Sequence, residues 1–372
     1  MSDYIELGSV AEFVSDRIDI ERVNKQNYIS TENMIENKGG VINAKSLPTS
    51  KTVLNYKPED ILVSNIRLYF EKIWFADKEG GSSADVLVLR TAKGYIPKFI
   101  YYVLSDSNFF KYADVTSKGT KMPRGDKKAI LKYIIPDYPI YYQKKITTIL
   151  STYDNLIENN NRRIQILEQT AEELYKEWFV RMRFPGYEKT KFHKGIPEGW
   201  EVIKIGEMAT FKRGKNLRIA DAIEGDVPVI AGGIEPSCYH NESNTKAPVI
   251  TVSASGANAG YTRLNFIDVW ASDCSYIDTE DSEQIYYIYL LMKVSQKEIL
   301  NLQLGSAQPH VYARDLNNFS FLKPPQNLIK EMNKQAQIIF NEVKILNIQN
   351  QNLIKQRDLL LPRLMNGTIT VK

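Results

Sequence analysis

The apolar positions of this chain fall into two regimes that alternate twice along its length. In the first, short runs rich in Val, Ile and Tyr, such as Ile61 to Val63, Val86 to Leu89, Val227 to Ile230 and Val249 to Val252, are separated by clusters of Gly, Ser, Asn and Pro. Runs of that kind bounded by turn formers predict strands of an α/β globule. In the second regime the period lengthens. From Ile146 the positions Ile146, Leu150, Tyr153, Ile157, Asn160, Ile164, Leu167, Ala171, Leu174 and Trp178 are spaced four, three, four, three. Met332, Ala336, Ile339, Val343, Leu346, Asn350, Leu353, Arg357, Leu360 and Leu364 repeat that spacing. Sustained fours and threes predict two long helices that pack by knobs into holes. The stripe is narrower than a core-facing helix needs, so the helices are expected to pack on each other rather than each on its own globule.

The two regimes recur because the chain is written twice. Residues 119 to 130 match 305 to 316, with Gly119, Pro123 and Ile130 falling on Gly305, Pro309 and Leu316, and Pro139 falls on Pro325 ahead of the second helix. Near the start of each half Leu7, Gly8, Val10 and Phe13 echo Ile205, Gly206, Met208 and Phe211, while "DILVSNIR" (60 to 67) echoes "PVITVSAS" (248 to 255). Similar helices joined through a whole globule most naturally pair antiparallel about a pseudo-twofold axis, which would bring Asn160 and Asn350 together and fix register. The fold expected is therefore mixed α+β, with two α/β globules separated by two long helices in an antiparallel coiled coil. Its boundaries are 1–139 for the first globule, 140–181 for the first helix, 182–198 for a linker broken by Pro185, Gly186, Gly195 and Pro197, 199–325 for the second globule, 326–365 for the second helix and 366–372 for a tail. Helices of that length would be about 60 Å long and would hold the globules well apart.

Composition narrows the class without naming it. The chain has 372 residues, 43% of them apolar and 25% charged, ordinary values for a globular protein. Two cysteines, Cys238 and Cys274, and three histidines rule out a disulfide framework or a Cys-rich zinc site on count. No apolar run approaches the length of about 18 residues that a membrane helix needs, and the opening "MSDYIELGS" lacks a basic segment followed by an apolar stretch, so a cytoplasmic protein is expected. The acidic run Asp278, Glu280, Asp281 and Glu283 has no supporting ligands and reads as a solvated loop, so no metal is expected.

The net charge is only +4, so a nucleic-acid partner must be argued from where the charges gather. Residues 118 to 128 hold Lys118, Lys121, Arg124, Lys127 and Lys128 against Asp126 alone, with glycine and proline between them. A basic loop of that kind suits phosphate contact. "FKRGKNLR" (211 to 218) adds Lys212, Arg213, Lys215 and Arg218 with no acid. The loop 305 to 315, counterpart of the first, is nearly neutral but carries Gln308, His310, Tyr312 and Arg314, side chains able to address base edges. The competing interpretation of any one of these lysines is a solvated loop. Catalysis finds no support: the chain lacks an Asn-Pro-Pro-aromatic run, a Gly-rich nucleotide fingerprint and G-x-x-x-x-G-K-[ST].

Over almost its whole length the chain resembles the DNA specificity subunits of type I restriction-modification systems. The likeness is carried by the doubled layout, the opening Leu7 to Val10, the Gly-Thr or Gly-Ser loop before each helix, and above all "WFVRMRFPGYEK" (178 to 189) leading into "GIPEGWE" (195 to 201). The resemblance implies two target-recognition domains, each reading half of a split DNA site, held apart by antiparallel helices that act as a ruler. Unlike readers would then recognise an asymmetric site with an unread gap, half-sites of symmetric readers lying about 34 to 36 Å apart. It implies docking of two modification subunits that bring S-adenosylmethionine and adenine-N6 methylation, joined by restriction subunits, with no cofactor in this chain. Asn65, Arg67, Ser253 and Ser255 join Gln308 and Arg314 as candidates for direct readout. A Gln common in the family just after the proline before each helix is present as Gln143, but its counterpart here is Ile329, so that position cannot be essential. Two other classes stay open: a stand-alone enzyme acting on DNA, and a coiled-coil scaffold or DNA-binding protein without such partners.

Overall fold

The computed structural model describes residues 3–119, 123–303 and 309–371, and the chain divides into two compact units, residues 1–158 with 350–372 and residues 159–349. In the first unit Asp3–Glu6 pairs antiparallel with Ile134–Asp137. A four-stranded antiparallel sheet follows in the order Ala11–Phe13, Val86–Thr91, Ile61–Ser64, Ile73–Phe75. All four residues of Ile61–Ser64 are buried, as a central strand with both faces covered requires. A second sheet runs Arg17–Asp19, Thr52–Tyr56, Gly80–Ser82, Tyr28–Ile29. Helices Pro97–Leu104, Ser107–Val115 and Lys127–Leu131 complete the globule; Asp106 and Asp126 cap the last two by accepting from Asn108 N–H and Lys128 N–H.

The second unit repeats that plan. Glu201–Lys204 pairs with Ser320–Lys323, and a four-stranded antiparallel sheet has the order Lys212–Arg213, Cys274–Ile277, Val249–Ser253, Thr262–Asn265. A three-stranded sheet, Cys238–His240, Val227–Ile230, Trp270–Ala271, stands where the first unit has its second sheet. The landmarks of the repeat have a physical basis. Leu7 N–H donates to the Tyr133 carbonyl at 2.8 Å, and Ile205 N–H to the Phe319 carbonyl at 2.9 Å. Gly8 and Gly206 face Leu131 and Asn317, where an added Cβ would come within 3.2 and 3.0 Å of backbone carbonyl oxygen. Glycine recurs because the backbone passes too close for a side chain.

The long helices are Ile140–Phe179 and Gln326–Met365. The first part of one and the last part of the other belong to the first unit, and the remaining halves to the second, so they run antiparallel. Seam positions Ile146, Leu150, Asn160, Met332, Val343, Leu346 and Asn350 are buried, while Tyr153, Ile157, Ile164, Leu167, Leu174, Ile339, Leu353 and Leu360 are half-buried. The expectation that the helices pack on each other instead of on the globules needs correction, because they do both. Ile146 and Leu150 enter a core with Phe99 and Phe109, closed by Leu361, Leu364 and Met365. Ala171, Tyr175 and Phe179 join Met332, Ala336, Phe340 and Val343 in the core around Tyr287 and Leu290. The buried stripe therefore widens beyond the four-three register, taking in Tyr175, Phe179, Leu328, Ile329, Phe340 and Leu361. Arg357 holds a seam position and is not apolar; it meets Asp154 in the first unit at 2.9 Å.

The linker is more ordered than its prolines and glycines suggest. Phe192–His193 and Ile196–Pro197 form a small antiparallel hairpin, and Phe184 and Trp200 are buried against each other, ring centroids 5.2 Å apart. Among the described residues no helix is long and apolar enough to cross a membrane.

Candidate nucleic-acid interface

In the first unit the strand Ile61–Ser64 runs into a sharp turn. Asn65 N–H donates to the Asp85 carbonyl at 2.8 Å, Ile66 forms an antiparallel bridge with Arg124, and Arg67 takes a left-handed backbone, φ +52°. Arg124 also bridges Lys118, so the basic loop is fastened to the end of this strand. The second unit builds the same corner from different residues. Ala254 N–H donates to the Asp273 carbonyl at 3.3 Å, Ser255 bridges His310, and Gly256 takes the left-handed conformation, φ +78°. Asn65 thus corresponds to Ala254, Arg67 to Gly256, Arg124 to His310 and Asp85 to Asp273. The echo between 60–67 and 248–255 is displaced by one residue here, because strand pairing, not side-chain likeness, sets the register.

Of the predicted contact residues, the structure gathers Arg67, Lys118 and Arg124 at the first corner and Ser255, His310 and Tyr312 at the second. Arg67, Lys118, Arg124 and Tyr312 are exposed, and Ser255 and His310 are half-buried. His310 stacks on Tyr312, ring centroids 5.6 Å apart, and the Arg314 guanidinium lies over Tyr312 at 5.6 Å. Lys127 and Lys128 stand on the short helix beside the first corner, with Lys127 Nζ 5.3 Å from the Phe13 ring centroid. Lys212 and Arg213 form the edge strand beside Cys274–Ile277 and lead toward Asp273, and Lys215 lies 5.6 Å from the Trp270 ring centroid. Asn65 and Ser253 differ from the expectation: both are buried, with Asn65 Oδ1 and Ser253 Oγ finding no hydrogen-bond partner among the described residues. Their place is at the strand ends beneath the surface, so neither is displayed for direct readout. Lys121 and Gln308 lie outside the described residues.

The cations of the basic segments are paired with acids, most of them outside those segments. Lys118 pairs with Asp126 at 2.5 Å, Arg124 with Asp85 at 2.8 Å, Lys212 with Asp281 at 2.6 Å and Arg218 with Asp221 at 2.6 Å. The Lys118 hydrogen bond and the Lys128 N–H hold the Asp126 carboxyl below the usual carboxylate range. Exposed lysine and arginine pairs such as Lys118–Asp126 and Arg218–Asp221 contribute little and are readily exchanged for phosphate, so those cations remain available to a polyanion. Asp85 and Asp273 were missed altogether. The signal that could have found them is the pair "SAD" (83 to 85) and "ASD" (271 to 273), which lie at equivalent points of the repeat.

The remaining polar features serve the fold. Gln143 is buried; its Oε1 accepts from Ile96 N–H at 2.9 Å and its Nε2 donates to the Tyr138 carbonyl at 2.7 Å, whereas Ile329 is buried in an apolar core. Asp278 accepts from the backbone of Lys246 and Glu280, and burial pushes its carboxyl up. Among the described residues no group of three or more His, Cys, Asp or Glu side chains is placed to hold a metal ion.

A family model for the type I restriction modification DNA specificity domain matches residues 2–169 and again 197–356, and the chain belongs to that family. It is 28% identical over 314 residues to the MjaIX specificity subunit, a type I restriction enzyme component of Methanocaldococcus jannaschii, an overlap of 75% of this chain and 70% of that one. It is 24% identical to the HindI specificity subunit of Haemophilus influenzae, covering 99% of this chain and 100% of the other. The crystal structure of the type I restriction-modification S subunit from M. genitalium superposes with a TM-score of 0.60 at 17% identity, over 98% of this chain and 96% of its own.

Proposed function

We propose that this chain is the non-catalytic specificity subunit of a type I restriction-modification complex. Each globule reads one half of a bipartite target in double-stranded DNA, and the two long helices join the readers. Two modification subunits dock on the chain and supply S-adenosylmethionine and the adenine-N6 methyl transfer; restriction subunits assemble with them in the cytoplasm. The observation that carries this reading is the repetition of one polar corner, at the same point of the same four-stranded sheet, with different side chains in each copy. One scaffold with two surfaces is what an asymmetric split site requires. Phosphate contacts from Lys118, Lys121, Lys127, Lys128, Arg213 and Lys215 position the readers, and Arg67, Arg124, Ser255, His310 and Arg314 face the bases.

The test is methyl transfer from labelled S-adenosylmethionine. Purified chain alone should stay at background; adding modification subunits should methylate adenines within one split sequence, read by mapping modified bases. Methylation by the chain alone would make it an enzyme. Unchanged DNA binding after charge reversal at Lys121, Arg124 and Lys128 would make it a scaffold.

A further inference from the structure

A carboxylate is out of place on a surface that meets a polyanion, yet both corners hold one at the same position. The backbone carbonyls of Asp85 and Asp273 each accept a hydrogen bond from the residue just past the equivalent strand. Their side chains then act differently. Asp85 Oδ1 takes the Arg124 guanidinium at 2.8 Å, with Arg124 remaining largely exposed. Asp273 Oδ2 accepts from Ser255 Oγ, and among the described residues that is the hydrogen bond its side chain makes.

We infer that Asp85 and Asp273 set the base choice of the two half-sites, Asp85 by fixing how Arg124 is presented to a guanine and Asp273 by accepting directly from the exocyclic amine of cytosine or adenine. This rests on the reading that each globule binds one half-site. Near phosphates a carboxylate is repelled, so its presence twice over must be offset by a local gain, and base edges offer one. A guanidinium has five donors, and contact of Nη2 with Asp85 restrains its orientation while leaving donors for guanine O6 and N7. Among the described residues Asp273 makes no salt bridge: its Oδ2 is oriented by the Ser255 hydroxyl, and Oδ1 can accept from a base N–H, the pairing that a carboxylate makes with cytosine N4. Asp85 is a positioning residue and Asp273 a contact residue.

The experiment selects bound sequences from a randomised double-stranded DNA library, using the full chain assembled with its modification subunits. Wild type should return two separated half-motifs. Asp85→Asn should relax one guanine position in one half by roughly ten-fold, and Asp273→Asn an amine-bearing base in the other half by a similar factor. Both variants should bind non-cognate DNA more tightly, because each removes a negative charge. Specificity and non-specific affinity thus move in opposite directions, which a folding defect cannot produce. Ser255→Ala, which keeps the charge, should weaken the same position as Asp273→Asn. Unchanged half-motifs, or both variants altering the same half, would overturn the inference. A wild-type complex returning no split motif would bring down the underlying reading and this inference with it.

Discussion

Arg357 and Asp154 meet at 2.9 Å inside the first unit, and the same carboxylate accepts from the Tyr102 hydroxyl at 2.6 Å. Burial works against the Arg357 charge, but the hydrogen bond it donates to Asp154 and the charge of Asp358 outweigh it. The trio ties both long helices to Pro97–Leu104. Asp154→Ala leaves the half-buried guanidinium with the more exposed Asp358 as its remaining carboxylate and should cost about 2 kcal/mol in chemical denaturation. The double variant Asp154→Leu with Arg357→Leu should recover much of that loss, because apolar replacement of both partners removes the under-compensated half-buried charge.

Gln143 gives a second stability prediction. Gln143→Leu strips the partners from Ile96 N–H and the Tyr138 carbonyl and should destabilise the chain by about 2 kcal/mol, with faster amide exchange at Ile96. Ile329→Gln should be harmful too, since it buries an amide in an apolar core with no such partners.

The landmarks of the repeat, the four-three spacing and the basic loops are all visible in the chain, and each has a structural cause. The recurring Gly8 and Gly206 mark one close backbone approach, and the doubled Pro139 and Pro325 mark the two helix starts. What the linear pattern hides is whatever depends on distant strands. Lys212 looks unopposed until Asp281 folds against it, and an isolated aspartate such as Asp85 looks solvated until Arg124 arrives beside it. Asn65 and Ser253 look like exposed loop residues because alternation gives no sign that the strand at whose end each lies is covered on both faces.

The two cysteines should differ sharply in reactivity. Burial pushes the Cys274 thiol up to about 12, which leaves it protonated at pH 8, whereas Cys238 is half-buried on an outer strand. Alkylation followed by mass spectrometry should label Cys238 in the native protein and Cys274 only after unfolding. As pH rises, Cys274 should remain unlabelled until well above the ordinary thiol range.

Apolar residues left outside the helix seam are a docking prediction. Ile338 and Ile345 are 61% and 49% exposed on the second long helix, seven residues apart and so on one face. Ile338→Glu with Ile345→Glu should leave the circular dichroism spectrum unchanged and lower co-purification of modification subunits by at least ten-fold. Full retention would place their docking elsewhere.

Salt dependence separates the positioning lysines from the readers. Lys127→Ala with Lys128→Ala should reduce the steepness of log K against log salt by roughly 0.9 for each lost phosphate contact, with the recognised sequence unaltered. Arg124→Ala should instead change the sequence that is bound, as read by competition between cognate and substituted duplexes.

Because the far half of each long helix is built into the core of the other unit, a reader is not the same object as a contiguous stretch of chain. A chimaera that exchanged one globule with a relative at the linker would graft a foreign globule onto helix segments evolved for another interior. Crossovers near Glu158 and Gln349 would instead carry each globule away with the helix halves that seal it, so new specificities should arise most readily by recombination within the helices.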